Sequence, residues 1–190
     1  MKRIGILAIQ GDFSKHAQAV SASGHRAVEV RNRAQLEDTD GLIIPGGEST
    51  TFLRLFNEFG LAADIKNYAR TKPILGTCAG LIILSMEADE LPFRPLGLID
   101  ITVKRNAYGR QKDSFIDTID LNLNGASRVF QGVFIRAPRI VKTGNDVRTL
   151  ALHNGEAVLV ANKKIMAATF HPELTDNLEI HKYFISKFTQ

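Results

Sequence analysis

The chain has a single cysteine, and its setting is that of a nucleophile. Ile74-Leu75-Gly76-Thr77-Cys78-Ala79-Gly80-Leu81 starts as a short apolar strand, passes through Gly-x-Cys-x-Gly and runs on into helix-forming residues. Flanking glycines permit the tight strand-to-helix turn of a nucleophile elbow. Such a turn lifts the side chain above the carboxyl edge of a sheet, where open α/β folds place their sites. It also sets Cys78 at a helix N-terminus, whose positive end favours a thiolate, and offers the Ala79 amide as an oxyanion donor. Taken alone, the segment favours the nucleophile over the alternative of a buried structural cysteine only by a small margin.

A thiol nucleophile needs a base, and the base an orienting group. Of the five histidines, His16, His25, His153 and His181 lie among ordinary helix, turn or strand residues and read as surface or structural. His171 differs: it follows the apolar run 165–170 and precedes Pro172-Glu173. Proline biases the residue before it towards extended backbone, and residues i and i+2 of an extended segment share a side. Glu173 is therefore expected to reach the far nitrogen of His171, hold its tautomer and stabilise the imidazolium. A third segment, Leu42-Ile43-Ile44-Pro45-Gly46-Gly47-Glu48-Ser49-Thr50, again ends a buried strand in a glycine turn. Two glycines let backbone approach a ligand and fit a second oxyanion donor. The lysine and spacing of a phosphate loop or dinucleotide fingerprint are missing, and no residues have metal-ligand spacing, so neither a metal nor a cofactor is expected.

These residues need a sheet to hold them. Residues 4–9 are a continuous apolar run suited to a strand buried on both faces, and 27–30, 41–44 and 74–76 read as further short strands. Between them fall helical patterns: residues 13–23, with Phe13, Ala17 and Val20 on one face and Gly24 as a stop; 49–59, capped by Ser49 or Thr50, with Phe52, Leu53, Phe56 and Phe59 inward and Gly60 at the end; and 61–71. This rhythm predicts an α/β fold with a doubly wound, mostly parallel central sheet and helices on both faces. From about residue 96 the pattern changes. Residues 117–123 alternate polar and apolar, and 129–135, 149–153, 157–161 and 165–170 read as further strands, giving a smaller antiparallel β portion. Leu174, Leu178, Ile185 and Phe188 predict a final helix over 174–188. No repeat or linker interrupts residues 1–190, which read as one domain.

The chain is 44% hydrophobic and 23% charged, ordinary for a globular protein. No apolar run approaches the roughly 20 residues needed to span a bilayer, and the run after Lys2-Arg3 is too short and lacks a cleavage site for a signal peptide. A lone cysteine excludes an intrachain disulfide and fits a reducing, cytoplasmic setting. The net charge of +4 is scattered rather than gathered into a stripe, so neither nucleic acid nor membrane is an expected partner.

Pro-Gly-Gly, Gly-x-Cys-x-Gly and a late His-Pro-Glu, in this order, resemble class I (triad) glutamine amidotransferases, whose fold is flavodoxin-like. Finer strings resemble the glutaminase subunits of pyridoxal 5′-phosphate synthases: Ala8-Ile9-Gln10-Gly11, Pro45-Gly46-Gly47-Glu48-Ser49-Thr50-Thr51, the segment 105–111, Phe134-Ile135-Arg136-Ala137-Pro138, His153-Asn154-Gly155 and Phe170-His171-Pro172-Glu173-Leu174-Thr175. The similarity runs from about residue 4 to 188, with no departure at a motif position. The resemblance implies a triad of Cys78, His171 and Glu173. It implies glutamine held by Gly46, Gly47, Glu48 and Ala79, by Arg105, and by Ile135 and Arg136. A guanidinium suits the α-carboxylate and Glu48 the α-ammonium. It further implies a synthase subunit as hetero-oligomeric partner receiving the ammonia, low activity without that partner, and a Gly46-Gly47 peptide able to complete the oxyanion hole only in the complex. Two alternatives keep an enzyme: a glutaminase serving another synthase, or a cysteine peptidase or chaperone-like hydrolase, whose base would fall close after the cysteine. A third keeps the fold as a non-catalytic regulatory subunit.

Overall fold

The computed structural model describes residues 1–105, 107 and 114–189; Asn106 and residues 108–111 of the segment 105–111 lie outside them. In chain order the elements are β1 (Arg3–Leu7), α1 (Phe13–Ala22), β2 (Arg26–Val30), α2 (Arg33–Glu37), β3 (Gly41–Ile44), α3 (Ser49–Phe59), α4 (Leu61–Ala69) and β4 (Ile74–Thr77). There follow α5 (Ala79–Leu84), β5 (Ser85–Ala88), β6 (Ile99–Lys104), β7 (Ser114–Leu123), β8 (Ala126–Ile135), β9 (Arg139–Thr143), β10 (Arg148–His153), β11 (Glu156–Ala161) and β12 (Ile165–Ala168). The chain closes with a 3₁₀ turn, Pro172–Leu174, and α6 (Glu179–Phe188).

Among the described residues the strands form two sheets. The larger has the order β2-β1-β3-β4-β12-β11-β10-β7-β8. Its first five strands run parallel, with Ile44 opposite Gly76 and Ala168 opposite Thr77. From β12 onwards the pairing is antiparallel. The antiparallel portion expected from the second half thus extends the main sheet, and its hairpin β10–β11 turns on Asn154 and Gly155, both at positive φ.

Because successive side chains of a strand point to opposite faces, each central strand feeds two cores. Leu42, Ile44 and Ile74 pack with Phe52, Phe56, Ile65 and Ile83 from α3, α4 and α5. Ile43 and Leu75 pack on the other face with Val20 of α1 and Ile180, Phe184 and Ile185 of α6. This is the doubly wound arrangement. Each such buried aliphatic or aromatic side chain contributes about 1.5–3 kcal/mol relative to exposure.

Three expectations need correction, and one feature was not expected. Phe59 is 63% exposed rather than on the buried face of α3, because it sits in the last turn, where the helix runs past its support. The cap of α3 is Glu48, whose carboxylate accepts from the amides of Thr50 and Thr51; Ser49 already lies within the helix. Leu174 ends the 3₁₀ turn and α6 starts only at Glu179, so Leu174 and Leu178 are not part of that helix. Finally, β5, β6 and β9 form a separate small sheet, mixed in direction, that the sequence reading did not anticipate.

Candidate active site

The carboxyl ends of three neighbouring strands build the site. Gly46 follows β3, Cys78 follows β4 and His171 follows β12. The amide of Cys78 donates to the carbonyl of Ala168 across the β4–β12 pair at 2.8 Å, and the amide of His171 donates to Val133 of β8 at 2.8 Å. Both functional residues are therefore pinned through their own backbone.

Cys78 has φ 50° and ψ −104°, a strained setting for a side chain larger than glycine, as an elbow requires. The bend brings β4 and α5 so close that a Cβ on Gly76 would lie 2.6 Å from the Gly80 backbone. A larger residue at position 76 would force the elbow apart. The sulfur lies 3.8 Å from the carbonyl of Ile135, and Cys78 is 7% exposed. Arg136, next to Ile135, adopts a left-handed φ of 42°, which turns this segment sharply at the cleft.

His171 Nδ1 and Glu173 Oε1 are 2.7 Å apart, an orienting contact within the usual hydrogen-bond range. The expected pair forms, although Glu173 reaches it from a 3₁₀ turn rather than from extended chain. Burial alone would discharge His171. The Cys78 side chain and the Glu173 carboxylate outweigh it and raise the imidazole to about 10. Burial likewise pushes the Glu173 carboxyl up, but the adjoining His16 ring and the His171 hydrogen bond bring it below its ordinary range. The arrangement is an imidazolium between a sulfur and an ionised carboxylate, poised to give a proton to a leaving group.

A cleft of about 260 Å³ opens over Cys78, below the ~300–1,000 Å³ of pockets for drug-sized ligands and suited to a single amino acid. Gly46, Gly47, Glu48, Cys78, Ala79, Arg105, Ile135, Arg136 and His171 all line it, so the structure brings together every predicted site residue except Glu173, which stands behind His171. Gly46 is obligatory on steric grounds: a Cβ there would lie 2.3 Å from His171 Cε1. Glu48 faces the cleft while capping α3; partial burial opposes its charge, but the Thr51 and Thr50 hydrogen bonds hold it below the ordinary carboxylate range. Arg105 Nη2 lies 3.6 Å from Glu48 Oε1.

Three contributors went unread in the sequence. The Gln10 carboxamide, oriented by its partners, donates to the carbonyl of Glu48 at 3.1 Å and accepts from its amide at 3.0 Å, bracing the glycine turn. Leu174 lines the cleft. His16, taken as structural, is wholly buried beside Glu173. The first two stand in strings quoted above but without a role; His16 gave one signal, a polar residue on the same helical face as Val20. Among the described residues no cluster of three or more His, Cys, Asp or Glu could hold a metal, and no helix is long and apolar enough to cross a membrane.

Comparison with known proteins agrees with this geometry. The chain is 46% identical to the pyridoxal 5′-phosphate synthase subunit PdxT of Bacillus cytotoxicus, over 97% of this chain and 94% of the relative. It is 44% identical to the subunit of the same name from Solibacter usitatus, over 98% of this chain and all of the relative. A crystal structure of a glutamine amidotransferase superposes with a TM-score of 0.90 at 41% identity, covering 96% of this chain and 97% of that one. PurLQS from Thermotoga maritima shares the fold at a TM-score of 0.72 and 17% identity, over 98% and 99% of the two chains. The model of the SNO glutamine amidotransferase family matches residues 6–190, and this chain belongs to that family.

Proposed function

We propose that the chain hydrolyses L-glutamine to L-glutamate and ammonia through Cys78, His171 and Glu173, and passes the ammonia to a separate synthase subunit that builds pyridoxal 5′-phosphate. The observation that carries the chemistry is the line from Glu173 through His171 to Cys78 at the ends of adjacent strands, with a 2.7 Å contact fixing the imidazole. The names of the relatives support the destination of the ammonia.

The Cys78 sulfur attacks the side-chain amide carbon of glutamine, and the oxyanion is held by backbone amides near Gly47 and Ala79. His171 gives its proton to the nitrogen, the C–N bond breaks, and ammonia leaves a glutamyl thioester on Cys78. Water then attacks the thioester while His171 takes its proton. The C–S bond breaks, glutamate departs, and the free Cys78 sulfur and the His171 imidazolium are restored. Glu173 keeps Nδ1 of His171 protonated throughout, so that Nε2 faces the reaction. Glu48 pairs with the α-ammonium of glutamine, and Arg105 and Arg136 with its α-carboxylate. Every step uses groups on this chain and water.

A glutaminase that ran alone would waste glutamine, so turnover is expected to be low for the isolated chain and to rise when the synthase subunit is added. Residues 1–190 act in this scheme as one glutaminase domain, and a reducing, cytoplasmic setting suits its lone free cysteine. The test is glutamate release from glutamine with and without the synthase subunit. Cys78→Ala should abolish release in the complex; normal turnover by that variant would sink the proposal.

A further inference from the structure

Behind the triad lies a second pair of histidines that the scheme above does not use. His16 on α1 and His181 on α6 are both 0% exposed. His16 Nδ1 is 3.0 Å from His181 Nε2. His16 Nε2 is 3.1 Å from Thr77 Oγ1 at the end of β4, and 3.3 Å from Glu173 Oε2. That carboxylate oxygen has no hydrogen bond of ordinary geometry, and neither does His181 Nδ1. The 3.3 Å approach is slightly longer than the usual N–H···O range of about 2.7–3.2 Å, as expected for one N–H shared between Thr77 and Glu173.

Only one arrangement of protons suits these distances. Suppose His16 carried its proton on Nδ1. Its bare Nε2 would face Glu173 Oε2, two lone pairs in a buried site, and the carboxylate oxygen would be left unsatisfied. His181 would then have to accept at Nε2 and carry its own proton on Nδ1, an N–H with nothing to receive it. Buried unpaired donors and carboxylate oxygens are the costly kind. Suppose instead that His181 donates from Nε2 to His16 Nδ1. His16 then donates from Nε2 towards Oε2 and Thr77 Oγ1, and the only orphan is a lone pair on His181 Nδ1.

A doubly protonated His16 fares no better. It would again leave the His181 proton stranded on Nδ1, and it would set a second cation beside the His171 imidazolium. The charged and titratable groups facing His16 are Glu173, His171 and Asp12, with His181 across the ring; burial outweighs the two carboxylates and lowers His16, and burial with His16 takes His181 down to about 3.

We propose that His16 is a positioning residue for the triad: from a tautomer fixed by His181, it donates through Nε2 to the inner oxygen of Glu173, so that the outer oxygen stays aimed at His171. The resulting line runs from α6 through α1 to the sheet edge, His181 to His16 to Glu173 to His171 to Cys78. It rests on the triad proposed above and adds to it the group that keeps Glu173 ionised and oriented.

Two measurements test it. Ring ¹⁵N NMR of the full chain should show His16 and His181 both singly protonated on Nε2; a proton on His16 Nδ1, or a His16 imidazolium, overturns the proposal without reference to activity. In the complex with the synthase subunit, His16→Met should lower glutaminase kcat about tenfold or more, with KM for glutamine little changed. Its pH–rate bell should narrow from both sides: the acid limb moves up as Glu173 loses a donor, and the basic limb moves down as His171 loses support. His16→Gln, which can carry N–H towards the same oxygen, should restore rate and limbs together. A His16→Met enzyme with a reduced active fraction but unshifted limbs would show a merely structural residue and refute the role. If Cys78→Ala is dead while His16→Met keeps the wild-type profile, the triad stands and only this inference falls.

Discussion

Cys78 and His171 on the inner wall of the cleft, with Glu173 behind them, are 5–8% exposed and locked by backbone and side-chain hydrogen bonds, whereas the Glu48 side chain on the outer rim is 45% exposed. The inner groups already face one another as the reaction needs. The rim groups have other employment: Glu48 caps α3, and Arg105 donates to the carbonyl of Glu90 at 2.6 Å while approaching Glu48. In the proposed scheme the Cys78–His171–Glu173 line is thus preformed, whereas glutamine has to compete for its binding groups. Damage to the wall should therefore appear in kcat and damage to the rim in KM.

The sharpest way to break this division is at Gly46, where the two regions touch. A Cβ there would sit 2.3 Å from His171 Cε1 and 3.3 Å from Cys78 Cβ. Neither neighbour can yield without moving the base or the nucleophile, and a displacement near 1 Å costs about a hundredfold in rate. Gly46→Ala should therefore lower kcat by about that factor while glutamine still binds. A purely KM effect, measured in the complex, would place Gly46 on the rim instead.

Arg105→Ala should act in the opposite sense, raising KM for glutamine about tenfold with kcat nearly kept, the loss expected for a charge-assisted contact. Glu48→Gln sharpens the distinction. It retains a carbonyl oxygen to cap α3 but loses the charge offered to the α-ammonium, so KM should rise with little change in melting temperature. A large fall in melting temperature with unchanged KM would assign Glu48 to the helix alone.

The wall was also the more legible region. Cys78 and His171 each follow a short apolar run and have a glycine or proline within the next two residues, a local pattern that physical reasoning can read without knowing the fold. The small sheet left weaker marks. Its β5, Ser85–Ala88, follows α5 without a breaker, and β9, Arg139–Thr143, is short. Only β6, Ile99–Lys104, alternates buried and exposed residues, so its signal was present and went unread. Glu48 displaced Ser49 as cap because the glycine turn leaves it extended, at φ −97° and ψ 108°. His16, Thr77, Glu173 and His181 are far apart in sequence and meet only after folding, so no spacing rule connects them. The trace they did leave is a histidine on the buried face of each of two amphipathic helices.

The buried histidines should also separate from the triad in their effect on stability, the smallest change expected here. His181 is lowered to about 3 by burial and by His16, from an ordinary value of 6.5. In the unfolded chain it takes a proton below about pH 6.5, whereas in the folded chain it resists until about 3. The unfolded state therefore binds more protons across that interval, and stability falls on acidification, by at most about 1.4 kcal/mol per pH unit for one such group. His16, lowered in the same direction, adds to this slope. His171 has the opposite sign: raised to about 10, it contributes stability that is complete below about pH 6.5 and is lost as pH rises through about 10. Melting curves of wild type and His181→Met across pH test the separation. The variant should be less stable overall, lose stability less steeply between about pH 6 and 4, and keep the wild-type decline at alkaline pH, because the histidine pair behind Glu173 and the His171 imidazole in front of it titrate on opposite sides of neutrality.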